Sequence, residues 1–451
     1  MKFINTILTF LIVCTTISIT DYTFVSAQAD SFTPTVKVGG QVRYRGEIDM
    51  RFFDMNAKPL FINMLRTRLD AKAFVSPNIS AFIQFQDSRN FGETNSRAWR
   101  GTLDGSSDNI DLHQGYVEFN DLGIENLTVR VGRMMFNLNN ERLIGSLDWH
   151  NIGRGFDGGF AAYKFADGWQ ARAFGFVLGS QELLMTSSAP QIPKMLGGFD
   201  FNIPYIPSMN AFIYYDQNDR AISGLGPGIV SSMPKLSRYT IGFYTKNESE
   251  GFIWELESAF QSGSIDTLPR LANNTSSDIS AYMVSAFGGW KKGNFTIGGG
   301  LDLMTGDNPE TDEFEGFDHL FSTIHKFYGG MDLFPFSVLP NAGIRPAPEG
   351  TNKGILMPNV RLTWSPDSRW KLDAHIMNLR TFSPYKFEDT DLFSLGTEID
   401  LVATCNVAKG VSAQFGSSFF LPGEILEKTN GSKGMGTDPA YWGYTMIIVN
   451  F

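Results

Sequence analysis

Basic side chains recur at alternating positions through the first 172 residues: Lys37, Arg43, Arg45 and Arg51, then Arg66, Arg68 and Lys72, then Arg130 and Arg172. Few acids share those positions, only Glu47, Asp49, Asp70 and Glu118. A guanidinium is a planar fork that matches a carboxylate and keeps its charge at any working pH. A column of such groups on a low-dielectric wall focuses positive potential and draws in polyanions. From residue 238 onward the equivalent positions are mostly acidic: Glu255, Glu257, Asp302, Asp373, Glu398 and Asp400, against Arg238, Arg361 and Lys371. A basic wall opposite an acidic one sets a transverse field, which orients dipolar solutes as readily as it passes a polyanion. The two kinds of row can equally pair with each other, between neighbouring strands or across a narrow lumen.

Two smaller groups stand apart. Arg133, Arg142, Asp148, Arg154 and Asp157 flank a glycine-rich, partly aromatic segment. They suit an Arg–Asp network that holds a loop inside a pore mouth, or a salt-bridged turn on the outside. Asp307, Asp312 and Glu315 cluster carboxylates that could ligate Ca²⁺, although their spacing fits no fixed loop motif and a solvated acidic loop explains them equally. No other cofactor is expected. His113, His150, His319, His325 and His375 lack metal-ligand spacing, and no Ser lies in a G-x-S-x-G elbow, so no catalytic residue is assigned and an enzyme is not expected.

The elements that position these groups are long strands. Val36, Val38, Gly40, Val42, Tyr44, Ile48, Met50 and Phe52 fall on one face, with Lys37, Gln41, Arg43, Arg45, Glu47, Asp49 and Arg51 on the other. The run far exceeds the usual soluble strand of about 5–6 residues. A barrel strand needs about ten residues to cross an apolar band about 25 Å tall. The same period returns at Leu65–Ala73, Leu127–Val131, Trp169–Gly175, Phe252–Gln261, Trp370–Ile376, Leu395–Leu401 and Val411–Phe419. Short connectors rich in Gly, Pro, Asn and Asp lie at 76–78, 120–126, 166–168, 206–208, 246–251, 291–293, 365–369 and 406–410. Longer segments separate them, for example at 89–109, 136–155, 179–195, 217–236, 262–280, 305–353 and 422–440. Eight short turns with nine long loops give about 18 strands, an even number with both termini on the short-turn side. The expected fold is therefore all-β: a single antiparallel transmembrane barrel over residues 30–451, with short periplasmic turns and long extracellular loops. A secreted β-sandwich is the soluble alternative.

Composition agrees. The 451 residues are 42% hydrophobic and 14% aromatic, which excludes disorder, while the modest apolar share excludes a polytopic helical membrane protein. A net charge of −10 argues against nucleic acid as a partner. The 39 Phe and 46 Gly are expected on the membrane face and at close-packed strand positions. Tyr282, Trp290, Trp364, Trp370, Tyr441 and Trp442 are expected in interfacial girdles. Residues 1–29 read as a cleaved secretory signal: Lys2, an apolar run from Ile7 to Ile19 too short to span, and small residues to Ala29. Cleavage removes Cys14 and leaves Cys405, so no internal disulfide can form. The mature chain is expected in the outer membrane of a Gram-negative bacterium, against lipid and lipopolysaccharide. Its last residues alternate from Tyr441 to a terminal Phe451, resembling the assembly signal of such proteins.

Several strings are more specific than a generic barrel. They are Arg66-Thr-Arg-Leu69, Gln84-Phe-Gln-Asp-Ser-Arg89, Asp111-Leu-His-Gln-Gly-Tyr-Val-Glu118 and Arg130-Val-Gly-Arg133. Glu141-Arg-Leu-Ile-Gly145, Asp148-Trp-His-Asn-Ile-Gly-Arg154, Phe156-Asp-Gly158, Leu303-Met-Thr-Gly-Asp307 and Phe317-Asp-His-Leu-Phe321 follow. Together they resemble the alginate export family of outer-membrane porins, densely over residues 39–158 and again at 300–332. The resemblance implies an arginine-lined, anion-selective conduit that passes a uronate polysaccharide or oligosaccharide outward, with export partners in the periplasm. On that reading Arg43, Arg45, Arg51, Arg66, Arg68, Lys72, Arg130, Arg172 and Glu118 line the pore and bind substrate, and passage is passive. A general or sugar-specific diffusion porin for uptake of small solutes is the first alternative. A barrel-anchored adhesin or outer-membrane enzyme is the second.

Overall fold

The computed structural model describes residues 32–91, 110–121, 123–179, 194–204, 209–218, 236–265, 276–308, 310–333, 352–431 and 436–451. Residues 1–29, read as a signal, lie outside this set. Strands follow one another as β1 (Thr35–Met50), β2 (Leu60–Ser76), β3 (Ile79–Phe91), β4 (Asp111–Asn120), β5 (Leu127–Met134) and β6 (Phe156–Lys164). Next come β7 (Gln170–Gly179), β8 (Lys194–Ile203), β9 (Met209–Asn218), β10 (Leu236–Asn247), β11 (Gly251–Ile265) and β12 (Ser277–Lys292). The last are β13 (Phe295–Met304), β14 (Ile355–Trp364), β15 (Trp370–Phe387), β16 (Thr390–Ala408), β17 (Val411–Pro422) and β18 (Ala440–Asn450). Each pairs antiparallel with the next, and β18 pairs with β1, so the 18-stranded sheet is closed and has no free edge.

Closure is made by the terminal strand. Ten residue pairs run from Gln41↔Asn450 to Met50↔Tyr441. Beyond them Gly40 N–H donates to the Phe451 carbonyl at 2.9 Å, and Phe451 N–H donates back to Gly40 at 3.1 Å. Glycine is required here, because a Cβ on residue 40 would lie 2.7 Å from the Phe451 ring.

The outward face carries exposed Val38, Leu69, Ile83, Val131, Phe199, Ile241, Phe252, Leu301, Val360 and Leu401, the apolar band a membrane requires. Tyr282, Trp290, Trp364 and Trp370 are exposed there too. Trp442 is not: it alternates with outward Tyr441 and Gly443, so it points inward, buried, and its indole N–H donates to Glu47 at 3.1 Å. A further departure concerns phenylalanine. Phe136, Phe156, Phe174, Phe176, Phe212, Phe317, Phe321, Phe327 and Phe420 are buried in one cluster inside the barrel rather than facing lipid. Phe136 alone touches the rings of Phe156, Phe160, Phe174 and Phe176 at centroid distances of 4.8–6.4 Å. Inward strand positions near the long-loop end are apolar because loops come inside and must be packed against.

Short turns follow β2, β4, β6, β10, β12, β14 and β16, as expected from their Gly, Pro and Asn, while the expected turn at 206–208 lies outside the described residues. The opposite end is less uniform. The connection between β15 and β16 is two residues, Glu388 and Asp389, because those strands extend to 18 and 19 residues. Helix α1 (Glu424–Gly431) in the β17–β18 connection braces the projecting hairpin, with Glu424 accepting the N–H groups of Phe393 and Ser394 at 2.9 and 3.2 Å.

Candidate functional site: two loops between a basic and an acidic wall

Loop 135–155, between β5 and β6, meets the inward face of β1–β3 through its backbone. Arg43 donates to the carbonyls of Asp148 (2.7 Å) and His150 (3.0 Å), and Arg45 to that of Trp149 (2.8 Å). Arg66 also reaches Asp148 O at 2.9 Å. Ser88 takes the carbonyl of Asn151 (2.9 Å) and Gln86 that of Ile152 (2.7 Å). Five consecutive carbonyls are thus satisfied by side chains from three neighbouring strands. Charge fixes the register. The Asp148 carboxylate meets Arg66 at 3.0 Å and Arg68 at 2.8 Å, and Arg68 continues to Gln86 and His113. Burial alone would raise the Asp148 pKa, but Arg66 and Arg68 outweigh it and hold the carboxyl below its usual range.

The same loop reaches the opposite wall. Arg142, fully buried, sits 2.7 Å from Asp302 on β13 and 3.3 Å from Glu257 on β11, with its guanidinium 4.2 Å from the Phe327 ring centroid. Burial works against its charge, yet Asp302, Tyr328 and Glu257 together raise its pKa above the ordinary value. Asn140 donates to Glu255 at 2.6 Å. Part of the acidic wall is therefore neutralised by an arginine delivered from a loop.

Loop 305–333, between β13 and β14, completes the assembly. Residues 144 and 321 form a parallel bridge, with Gly145 N–H on Phe321 O and Phe321 N–H on Leu143 O. Arg154 donates to the carbonyls of Gly145 and Phe321, and Thr323 to Glu141. On the wall, Glu398 accepts Met331 N–H (2.8 Å) and Asp400 accepts Gly330 N–H (2.9 Å). Gln261 exchanges two hydrogen bonds with the backbone of Asp318, whose carboxylate meets Arg238 at 3.2 Å. Arg51, which stacks near Trp442 and pairs with Asp49, donates to Met331 O at 2.6 Å. The two loops behave as one plug, held by donors on one side and acceptors on the other.

Several expected placements change. Arg43, Arg45, Arg66 and Arg68 point inward, but they lie under the plug, 1–5% exposed, rather than along open water. Arg133 and Asp157 leave the proposed Arg–Asp network. They share the outward parity of Val131 and Val177 and pair with each other at 2.7 Å across β5 and β6. Arg142, Asp148 and Arg154 hold the loop through different partners: Glu257 and Asp302, then Arg66 and Arg68, then the carbonyls of Gly145 and Phe321. Asp307 and Glu315 satisfy their own loop, Asp307 accepting Glu315 N–H and Glu315 accepting from Asn308 and Thr311. Exposed Asp312 is not among those contacts, and no group of three potential metal ligands occurs among the described residues.

Nearer the short-turn end the inward face is more open. Glu118 is shared by Arg130 and, at 3.3 Å, Lys72. Arg172 forms a two-point pair with Asp200 at 2.8 and 3.0 Å. Lys37 and Lys72 are register partners on β1 and β2, and both lie 5.4 Å from the Phe74 ring. Arg130 stacks on Tyr116 at 4.3 Å, and Tyr116 on Phe82.

Residues 35–176 match the family model described as alginate export. Solved structures with this architecture include OccK8 (OprE) of Pseudomonas aeruginosa, 11% identical, with 92% of this chain and 98% of that one covered and a TM-score of 0.56. A BenF-like porin from Pseudomonas fluorescens Pf-5 aligns over the same shares at 12% identity and TM-score 0.57. OccAB4 of Acinetobacter baumannii does so at 10% and 0.56. No curated protein matches the chain. Strands β1–β6, most of β7 and the loop that carries Asp148 thus match the alginate export family model, within a closed 18-stranded barrel with the fold of solved outer-membrane porins.

Proposed function

We propose that the protein is an outer-membrane channel that passes a hydrophilic, anionic saccharide of the uronate type by passive diffusion. The observation that carries this reading is the charge balance of the basic wall, where Arg43, Arg66 and Arg68 face the single carboxylate of Asp148. Toward the short turns Lys72 and Arg130 share Glu118, with Lys37 the register partner of Lys72, so three bases face the two acids Glu118 and Asp70 and the excess of positive charge continues along the path. Weak contacts repeated at several points let a cargo leave as well as enter. Driving force then comes from a gradient or from periplasmic partners. The site's residues serve binding and conduction, not bond-making, and the chain is read as a channel rather than an enzyme. Export to the outer membrane by a cleaved signal at residues 1–29 belongs to the same proposal.

A general diffusion porin is the second reading, favoured by the acids Glu398 and Asp400 on the opposite wall, which meet backbone N–H groups and form no ion pair among the described residues, whereas Glu257 and Asp302 are offset by Arg142. Planar-bilayer recording separates the two. Anion preference with current block by uronate oligomers supports the saccharide reading. Cation preference without block sinks it and leaves the barrel intact.

A further inference from the structure

The basic wall is occupied by part of the protein itself. Arg66 holds the Asp148 carboxylate with two nitrogens, at 3.0 and 3.3 Å, and Arg68 holds it at 2.8 Å. Arg43 beside them reaches only carbonyl oxygens, those of Asp148 and His150. Among the described residues no second carboxylate pairs with these three cations, whereas neighbouring Arg45 has its own partner in Glu47 at 2.8 Å. Two positive charges are therefore in excess, and the buried Nε groups of Arg43 and Arg66 meet no acceptor. Exposure is lopsided: the Arg66 side chain is 1% exposed and that of Asp148 42%. The forks are fixed in the wall, and the acid sits over them from the solvent side. Its loop is also strained there, since Leu147 takes φ 52°, a region that disfavours a branched side chain.

We propose that Arg43, Arg66 and Arg68 form a carboxylate subsite for the saccharide cargo, and that Asp148 fills it as an internal substitute until a uronate carboxylate displaces it. This rests on the channel reading above and adds a competition to it. A uronate presents a planar carboxylate to the same two-point fork, and a sugar hydroxyl can replace a backbone carbonyl as hydrogen-bond acceptor. A polymer offers many carboxylates in succession, so one displaced loop segment can be held off while successive units pass. The cargo opens its own path.

The test uses the full-length barrel in planar bilayers, with hexagalacturonate as anionic probe and maltohexaose as neutral probe. Removing the competitor with Asp148→Asn is expected to lower the hexagalacturonate concentration for half-block by about tenfold, the scale of one charge-assisted contact. The same variant should raise the open fraction in the absence of probe and leave maltohexaose block unchanged. Asp157→Asn, on the outer face, is the control. In the wild-type barrel, hexagalacturonate should also change the Trp149 emission, taken as the difference from Trp149→Phe. This second measurement stands even if Asp148→Asn fails to assemble. Block of the wild type by hexagalacturonate with no change in Asp148→Asn and no Trp149 response overturns the competition and leaves the channel reading in place. Equal block by both hexamers in every variant removes the uronate reading, and the competition falls with it.

Discussion

The imidazole of His325 lies flat against the indole of Trp149, with centroids 3.9 Å apart and planes 6° from parallel. The two residues come from different loops, and Arg45 of the barrel wall adds its guanidinium 4.4 Å from the same indole. Asp332 holds the imidazole at 2.9 Å. One aromatic contact thus ties loop 135–155 to loop 305–333 and both to β1. An aromatic pair of this kind contributes about 0.5–1.5 kcal/mol beyond its buried area. His325→Ala should loosen the junction by that order, seen as increased open-channel current noise in single-channel records while the barrel stays heat-modifiable on gels. Unchanged noise would show that the other contacts between the loops suffice, among them the Ile144–Phe321 bridge and the Thr323–Glu141 hydrogen bond.

Arg142 is the cation on which the acidic wall depends. Replacing it by Met leaves Glu257 and Asp302 buried and uncompensated, a situation that costs about 3–5 kcal/mol. The plug should detach from β11 and β13, raising single-channel conductance and lowering the thermal transition. Restoring neutrality with Glu257→Gln and Asp302→Asn in the same chain should recover most of the loss. Failure of that triple variant to recover would mean that shape, not charge, holds this contact.

The Asp148 anchor makes a specific statement about pH. Its carboxyl pKa is lower in the folded protein than in the unfolded chain, because Arg66 and Arg68 favour the anion. Stability from such a group is fully present above the unfolded value, about 3.9, and is lost as pH falls through the depressed folded value. The Asp148 contribution to the open fraction should therefore stay level from neutral pH down to about pH 5 and rise only at stronger acidity. Asp148→Asn should remove the Asp148 share of that acid step. A transition centred near pH 6 to 7 that Asp148→Asn leaves in place belongs to another group, whereas one that Asp148→Asn removes would overturn this prediction.

Gly329 is a point where the plug tolerates no side chain. Its φ is 106°, and a Cβ there would sit 2.5 Å from the Glu398 carboxylate. Gly329→Ala should push residues 330 and 331 away from β16, at a cost of about 1–3 kcal/mol in backbone strain. Amide exchange of Gly330 and Met331 should accelerate. Gly330→Ala, whose Cβ would lie 3.1 Å from Asp400 without a positive φ, should have the smaller effect.

Much of the barrel was legible because its rules are local. Alternation at Val36–Phe52 needs only the period of a strand, and the short turns announce themselves through residues such as Gly168, Gly293 and Gly410, all at positive φ. The inward column of arginines followed from the same parity. Parity also placed Arg133 beside Val131 on the outer face, and extending the alternation through β5 would have removed it from the lumenal network. What remained hidden depends on contacts between distant segments. Phe174 and Phe176 share the inward parity of Arg172, but nothing near them shows that they pack on Phe136 of an inserted loop. The acidic row read as an open wall because the partners of Glu398 and Asp400 are backbone amides of residues 330 and 331, about 70 positions earlier.

The plug is assembled from both halves of the chain, and this bears on how such barrels can be recombined. Residues 35–176 hold the arginine fork and the acid that occupies it, together with Arg142. The carboxylates that receive Arg142, and the loop whose Phe321 bridges to Ile144, lie beyond residue 250. A graft of the first seven strands into another barrel would carry a complete lock for one wall and an orphaned bolt for the other. Transplanting this plug therefore requires strands β11–β13 and loop 305–333 to travel with it.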